Sequence, residues 1–142
     1  MTSIDSDSAA ALVSDAVSRA RAGAVAISVA VVDEAGSLVA FHRMQGAPRF
    51  SADFATAKAR TSAAFSVPTS NLEELYKDRP AFAHSFVAQG GYFLGRGGIP
   101  IFSGGELVGA IGVSGATAHG EEALALTVVS EADGFAPIAE AS

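Results

Sequence analysis

Apolar residues at Ala9, Leu12, Val13, Ala16, Val17 and Ala20 recur at the three- and four-residue spacing that lines one side of a helix. A helix is predicted over about Asp7 to Ala22. Ser6 and Asp7 offer N-cap oxygens, Arg19 and Arg21 sit in the last turn, and Gly23 supplies the stop. From Val25 the period changes to two. Val25, Ile27, Val29 and Val31 share one face, and the small Ala26, Ser28 and Ala30 share the other. Asp33-Glu34-Ala35-Gly36 reads as a turn, and Ser37 to Arg43 as the returning strand of a hairpin.

Ser51 then caps an alanine-rich helix reaching about Phe65, with Phe54, Lys58, Thr61 and Phe65 along one side. Pro68 ends it. Asn71 to Lys77 and Pro80 to Gln89 read as short helical pieces, Gly90-Gly91 as a break, and Tyr92 to Leu94 as a short strand. Ile99 to Ser103, the turn Gly104-Gly105 and Glu106 to Ser114 form a second hairpin. A last helix is expected from about Glu121 to Ala132. Within 106–114, Leu107, Gly109, Ile111 and Val113 face one way, and Val108, Ala110, Gly112 and Ser114 the other. Both hairpins thus carry a face of small residues on which a helix can sit closely. The order is written α-β-β-α-α-β-β-β-α, an α/β (α+β) domain with helices on one antiparallel sheet. No repeat or linker divides residues 1–142, and residues 1–6 are expected to be flexible.

Composition narrows the function classes. Of 142 residues, 49% are hydrophobic and 17% charged, enough apolar material for a core and for a surface covered by another subunit, so a homo-oligomer is expected. The net charge of −6 and the scattered cations argue against nucleic acid, whose binding needs clustered Lys and Arg. Without cysteine there is no disulfide or thiolate chemistry. No apolar run reaches the roughly 18–20 residues of a membrane span, and the start is polar and acidic rather than leader-like. A cytoplasmic protein that does not engage membranes is the expectation.

The glycines at 109, 112 and 115 are spaced G-x-x-G-x-x-G and begin inside a strand. They therefore predict close packing rather than a dinucleotide site, and no NAD is expected. Ser114 lacks the G-x-S-x-G elbow of a hydrolase nucleophile. The three histidines have no metal-ligand spacing, so no structural metal is expected. His84, between Phe82 and Phe86, suits an apolar pocket with one coordinating group, against an exposed His on a short amphipathic turn. His42 alternates with Phe41 and Arg43 and belongs most simply to a polar strand face. His119 stands at a helix start beside Glu121 and Glu122, where a solvent role is ordinary and an anion role conceivable. Lys58, in an apolar row, either snorkels or holds a carboxylate or carbonyl. Arg43 and Arg49 are alternative anion clamps.

Val31 to Phe41 with Arg43-Met44-Gln45-Gly46-Ala47, the helix segment Lys58-Ala59-Arg60-Thr61-Ser62-Ala63, and Gly97-Gly98-Ile99-Pro100-Ile101 with Val108 to Gly115 together resemble three ordered blocks of the GlcG/HbpS-like family. The resemblance implies a profilin-like fold on a five-stranded antiparallel sheet, a homo-oligomer, and haem held between subunits. Relatives carry a Gly-Glu-Gln-Asp-like stretch where this chain has Ala118-His119-Gly120-Glu121.

Two readings follow. The first is a binding protein for haem or a small apolar or aromatic ligand. Its pocket draws on Phe41, Arg43, Met44, Phe54, Lys58, Thr61, Phe65, His84 and Phe86, near a subunit interface. The second is a cofactor-independent enzyme in which Lys58, His84, His119 and Glu121 serve as acid and base on a small carbonyl or hydroxylated substrate.

Overall fold

The computed structural model describes residues 2–139. Its elements are α1 (Ser6–Ala22), β1 (Ser28–Asp33), β2 (Leu38–Arg43), α2 (Ser51–Phe65), α3 (Thr69–Leu75), α4 (Pro80–Ala88), β3 (Gly98–Ser103), β4 (Glu106–Ser114) and α5 (Ala118–Ser130). The four strands form one antiparallel sheet in the order β2-β1-β4-β3.

The two sheet faces are packed differently. On one, the stripe Ala9, Leu12, Val13, Ala16, Val17 and Ala20 of α1 joins Ala125, Val128 and Val129 of α5. Together they cover Ile27, Val29, Val31, Ile99, Ile101, Ile111 and Val113. On the other, α2 lies on Ala30, Val32 and Ala110 through Ala55, Ala59 and Ala63. There the predicted close approach is extreme. A Cβ on Gly112 would stand 2.0 Å from the Ala55 carbonyl oxygen, and one on Gly98 2.4 Å from that of Lys58. The helix backbone rests on the sheet backbone, which aligns α2 side chains with the ends of β3 and β4.

The structure changes several sequence expectations. Among the described residues the sheet has four strands, not five, and the three helical pieces expected between the hairpins are all present, one more than the order α-β-β-α-α-β-β-β-α counted. Tyr92 to Leu94 is not a strand. Gly90 and Gly91 enter it at φ +88° and +79°, and the Phe93 N–H donates to the Thr61 hydroxyl rather than to a ladder. The outer edge of β3 meets Ala136 instead, through reciprocal bonds with Phe102 at 2.8 and 3.0 Å. Pro100, which has no N–H, is tolerated on this outer strand. The partner register jumps from Gly109 to Leu107, leaving Val108 without an opposite residue. Val108 therefore turns into the α1/α5 core beside Ile111, contrary to the simple alternation.

Capping also differs. Asp5, not Ser6 or Asp7, caps α1 by accepting from the Ser8 N–H. Gly23 keeps a negative φ and Ala24 takes the left-handed conformation. Ser51 is the buried first residue of α2, bonded to the Pro48 carbonyl and the Ser28 hydroxyl. α5 starts earlier than predicted, capped by Thr117, which brings Glu121 into its first turn. Ile4, inside the stretch expected to be flexible, is buried, and its N–H donates to the Val108 carbonyl.

Candidate functional site

Helical spacing puts Phe54, Lys58, Thr61 and Phe65 of α2 on the side overlain by residues 76–97, where the first three meet Phe93 and the last meets Tyr76 and Phe86. Lys58 is buried, with 3% of the residue exposed. Its ammonium is held on several sides. It donates to Glu121 Oε1 at 2.9 Å and to the Val113 carbonyl at 3.1 Å, and lies 5.3 Å from the centre of the Phe93 ring. The other oxygen of Glu121 accepts from the N–H groups of Gly115 at 2.7 Å and Ala116 at 3.1 Å. Beside this pair, Arg96 bonds Glu122 at 3.3 Å.

Thr61 donates to the Ala57 carbonyl at 2.7 Å and accepts from the Phe93 N–H at 2.9 Å. Phe93 is thereby fixed from two sides, and its ring packs on Phe54 with centroids 4.8 Å apart. Phe54 stacks in turn on Phe50 at 5.1 Å. A second aromatic group begins at Phe65, which meets Phe86 at 5.1 Å and Tyr76 at 6.5 Å. Phe86 touches Tyr92 at 4.4 Å, and the Arg60 guanidinium lies 5.1 Å from the Tyr92 ring centre.

Between α4 and the chain at Phe93-Leu94 opens a largely apolar cleft of about 530 Å³, lined by Ala83, His84, Val87, Ala88, Phe93 and Leu94. This is within the few hundred to a thousand Å³ typical of small-molecule sites. His84 is exposed and contributes an imidazole to the lining.

Thus Phe54, Lys58 and Thr61 converge on Phe93 with Glu121 held behind Lys58, Phe65 meets Phe86, and His84 lines the cleft. The remaining candidates lie elsewhere. Phe41 and Arg43 are exposed on β2, at the sheet edge away from β3. Met44 is buried in the α1/α5 core, where its sulfur accepts from the Ile27 N–H at 3.4 Å. His42 lines a shallow groove against α1 with Arg21. His119 is exposed in the first turn of α5, and Arg49 is exposed before α2. Phe93, Leu94 and Arg96 escaped sequence reasoning, because a segment without periodicity gives no clue to which side chains turn inward.

Among the described residues no three His, Asp or Glu side chains gather into a metal site, and no helix is long and apolar enough to cross a membrane.

Residues 4–130 match the family model described as "Haem degrading protein HbpS-like". The chain is 34% identical to Protein GlcG of Escherichia coli (strain K12) over 89 residues, 62% of this chain, and the match spans 63% of GlcG's length. Among solved structures, HbpS of Streptomyces reticuli, in a double-mutant form, superposes with a TM-score of 0.81 at 31% identity, over 90% of this chain and 86% of that one. The PduOC–haem complex superposes at 0.86 with 24% identity, over 96% and 99%, a likeness of fold.

Proposed function

The chain belongs to the HbpS-like family, and from that premise we propose that it binds haem in the cleft between α4 and Phe93-Leu94. The observation that carries the reading is the make-up of this cleft: an apolar wall fixed by Thr61 and Lys58, and one exposed imidazole, His84. A porphyrin needs apolar surface for its faces and one or two axial donors for its iron. The residues present fit that need without a cluster of protein ligands.

When bound, haem supplies the iron and its redox chemistry. This chain's residues bind and orient. Phe93 would offer a ring face, Ala83, Val87, Ala88 and Leu94 would exclude water, and His84 would offer a ring nitrogen to the iron. Lys58 is already joined to Glu121, so it is not free to hold a ligand carboxylate. The exposed Phe50 and Phe54 beside the cleft are the surface on which a second copy of the chain would close it.

The acid–base reading draws no support from the geometry. Lys58 and Glu121 satisfy one another away from solvent, and His119 is exposed at the start of α5.

Titration with haemin tests the proposal. A saturable Soret shift is expected for the native chain, weakened or moved in His84→Ala and unchanged in His119→Ala and His42→Ala. A featureless titration of the native chain overturns it.

A further inference from the structure

Helix α4 is built unlike the rest of the molecule. None of its nine residues is buried, whereas every other helix places at least two residues in the interior. A helix this short does not hold itself together in water and needs tertiary contacts. Its side-chain hydrogen bonds among the described residues stay within the segment, Ser85 to the Ala81 carbonyl and Gln89 to the Ser85 carbonyl. What attaches it to the body is aromatic: Phe82 on Tyr76 at 4.5 Å, and Phe86 on Phe65 and Tyr92 at 5.1 and 4.4 Å. Such contacts are non-directional enough to part and re-form without stranding a buried polar group.

Both ends of α4 are punctuated. On the far side stand Gly90 and Gly91 with positive φ, and nothing lies within 4 Å of a Cβ built on Gly90. On the near side Arg79 holds φ −128° and ψ 64°, before Pro80. Outside these points the chain is fastened. Leu72 and Thr69 bury α3, Arg60 packs on Gly91 and Tyr92, and Thr61 holds the Phe93 N–H. The movable piece therefore runs from Arg79 to Gly90 and no further. Its other face, Ala83, His84, Val87 and Ala88, forms one wall of the cleft whose opposite wall, Phe93, is fixed.

We propose that α4 is a hinged flap: it swings about Arg79 and Gly90-Gly91 to admit a flat apolar ligand, then closes and brings His84 onto it. The ligand's identity rests on the haem reading above. The hinge itself does not.

The natural absence of cysteine allows two nitroxide labels to be placed at will. One pair, Ser85→Cys and Glu106→Cys, spans flap and body, and a control pair, Ser18→Cys and Glu106→Cys, stays within the body. All three positions are exposed and outside the cleft lining. Pulsed electron–electron distance measurement without ligand is expected to give a flap distribution at least about twice as wide as the control. Saturation with diamagnetic gallium protoporphyrin is expected to narrow it to the control width. A ligand-free flap pair as narrow as the control overturns the hinge, and a pair still broad with porphyrin bound overturns closure. If neither haemin nor gallium protoporphyrin binds, the haem reading and the closure onto it fall, while the ligand-free widths still decide the hinge. Gly90→Ala touches no neighbour but is strained at its φ of +88°, so it is expected to change the rate of haemin release by biasing the flap. An unchanged release rate counts against Gly90 as the pivot.

Discussion

Lys58 and Glu121 reach each other across an edge of the protein's layers: α2 lies on one face of the sheet, α5 on the other, and their charges meet at 2.9 Å beside the end of β4. Both are buried, and every strong bond of the pair is internal. Lys58 also holds the Val113 carbonyl, and Glu121 the amides of Gly115 and Ala116. Removing one partner leaves an uncompensated charge in the interior, whereas removing both does not. Lys58→Met or Glu121→Leu alone is expected to cost about 3–5 kcal/mol in urea unfolding, and the double variant appreciably less than the sum. Strict additivity, or a single-variant loss below about 1 kcal/mol, would show that the pair behaves like a surface contact.

Thr61 touches the cleft through Phe93 rather than directly. Thr61→Val keeps the shape but leaves the Phe93 N–H without its acceptor, a loss of about 1–3 kcal/mol if that group stays dry. The expected result is weaker haemin binding in Thr61→Val and recovery in Thr61→Ser. Equal affinity in both variants would remove Thr61 from any part in setting the wall.

Gly112 lets α2 lie against β4. Gly112→Ala puts a methyl group 2.0 Å from the Ala55 carbonyl oxygen and 2.7 Å from the Ala59 nitrogen, both backbone atoms that cannot turn away. The expected loss is at or above the upper end of the ~1–3 kcal/mol of overpacking. Gly104→Ala, with φ +59° and open space around it, tests backbone strain alone and should cost about 1–2 kcal/mol. Thermal unfolding of the two variants side by side checks the order, and a Gly112→Ala protein as stable as the native one would contradict the contact.

Asp5 ties α1 to pH. Hydrogen bonds from the Ser8 N–H and hydroxyl favour its charged form and hold its pKa below the ordinary 3.8. A group whose folded-state pKa is depressed stabilises fully above its unfolded value and loses that contribution as pH falls through the folded one. The melting-temperature gap between the native chain and Asp5→Ala should therefore be fully present at about pH 6 and shrink as the pH falls below the ordinary carboxylate value of 3.8. Asp5→Asn, which caps without titrating, should keep the same gap over Asp5→Ala throughout that range. A gap between native and Asp5→Ala that does not change with pH would assign the effect to something other than this carboxylate.

Local chemistry was legible from the chain itself. The α1 stripe, both hairpins and the small-residue faces follow from side-chain period and size, properties that survive without knowledge of neighbours, and three ordered blocks were enough to identify the family. Lys58, Thr61 and Phe54 could be placed on one side of a helix for the same reason. What they touch could not. Glu121 lies 63 residues beyond Lys58, and only the stacking of α2 and α5 on opposite faces of the sheet brings them together. The segment from Tyr92 to Arg96 has no period to read, so its departure from the sheet and the inward turn of Phe93 were decided by Thr61, an acceptor 32 residues away. Residue spacing determines which side chains share a surface. Which surfaces meet is decided by tertiary packing: α2 backbone rests on sheet backbone at Gly98 and Gly112, and the strand order leaves Phe41 and Arg43 at the far edge and Met44 in the other core, while Phe93 walls the cleft.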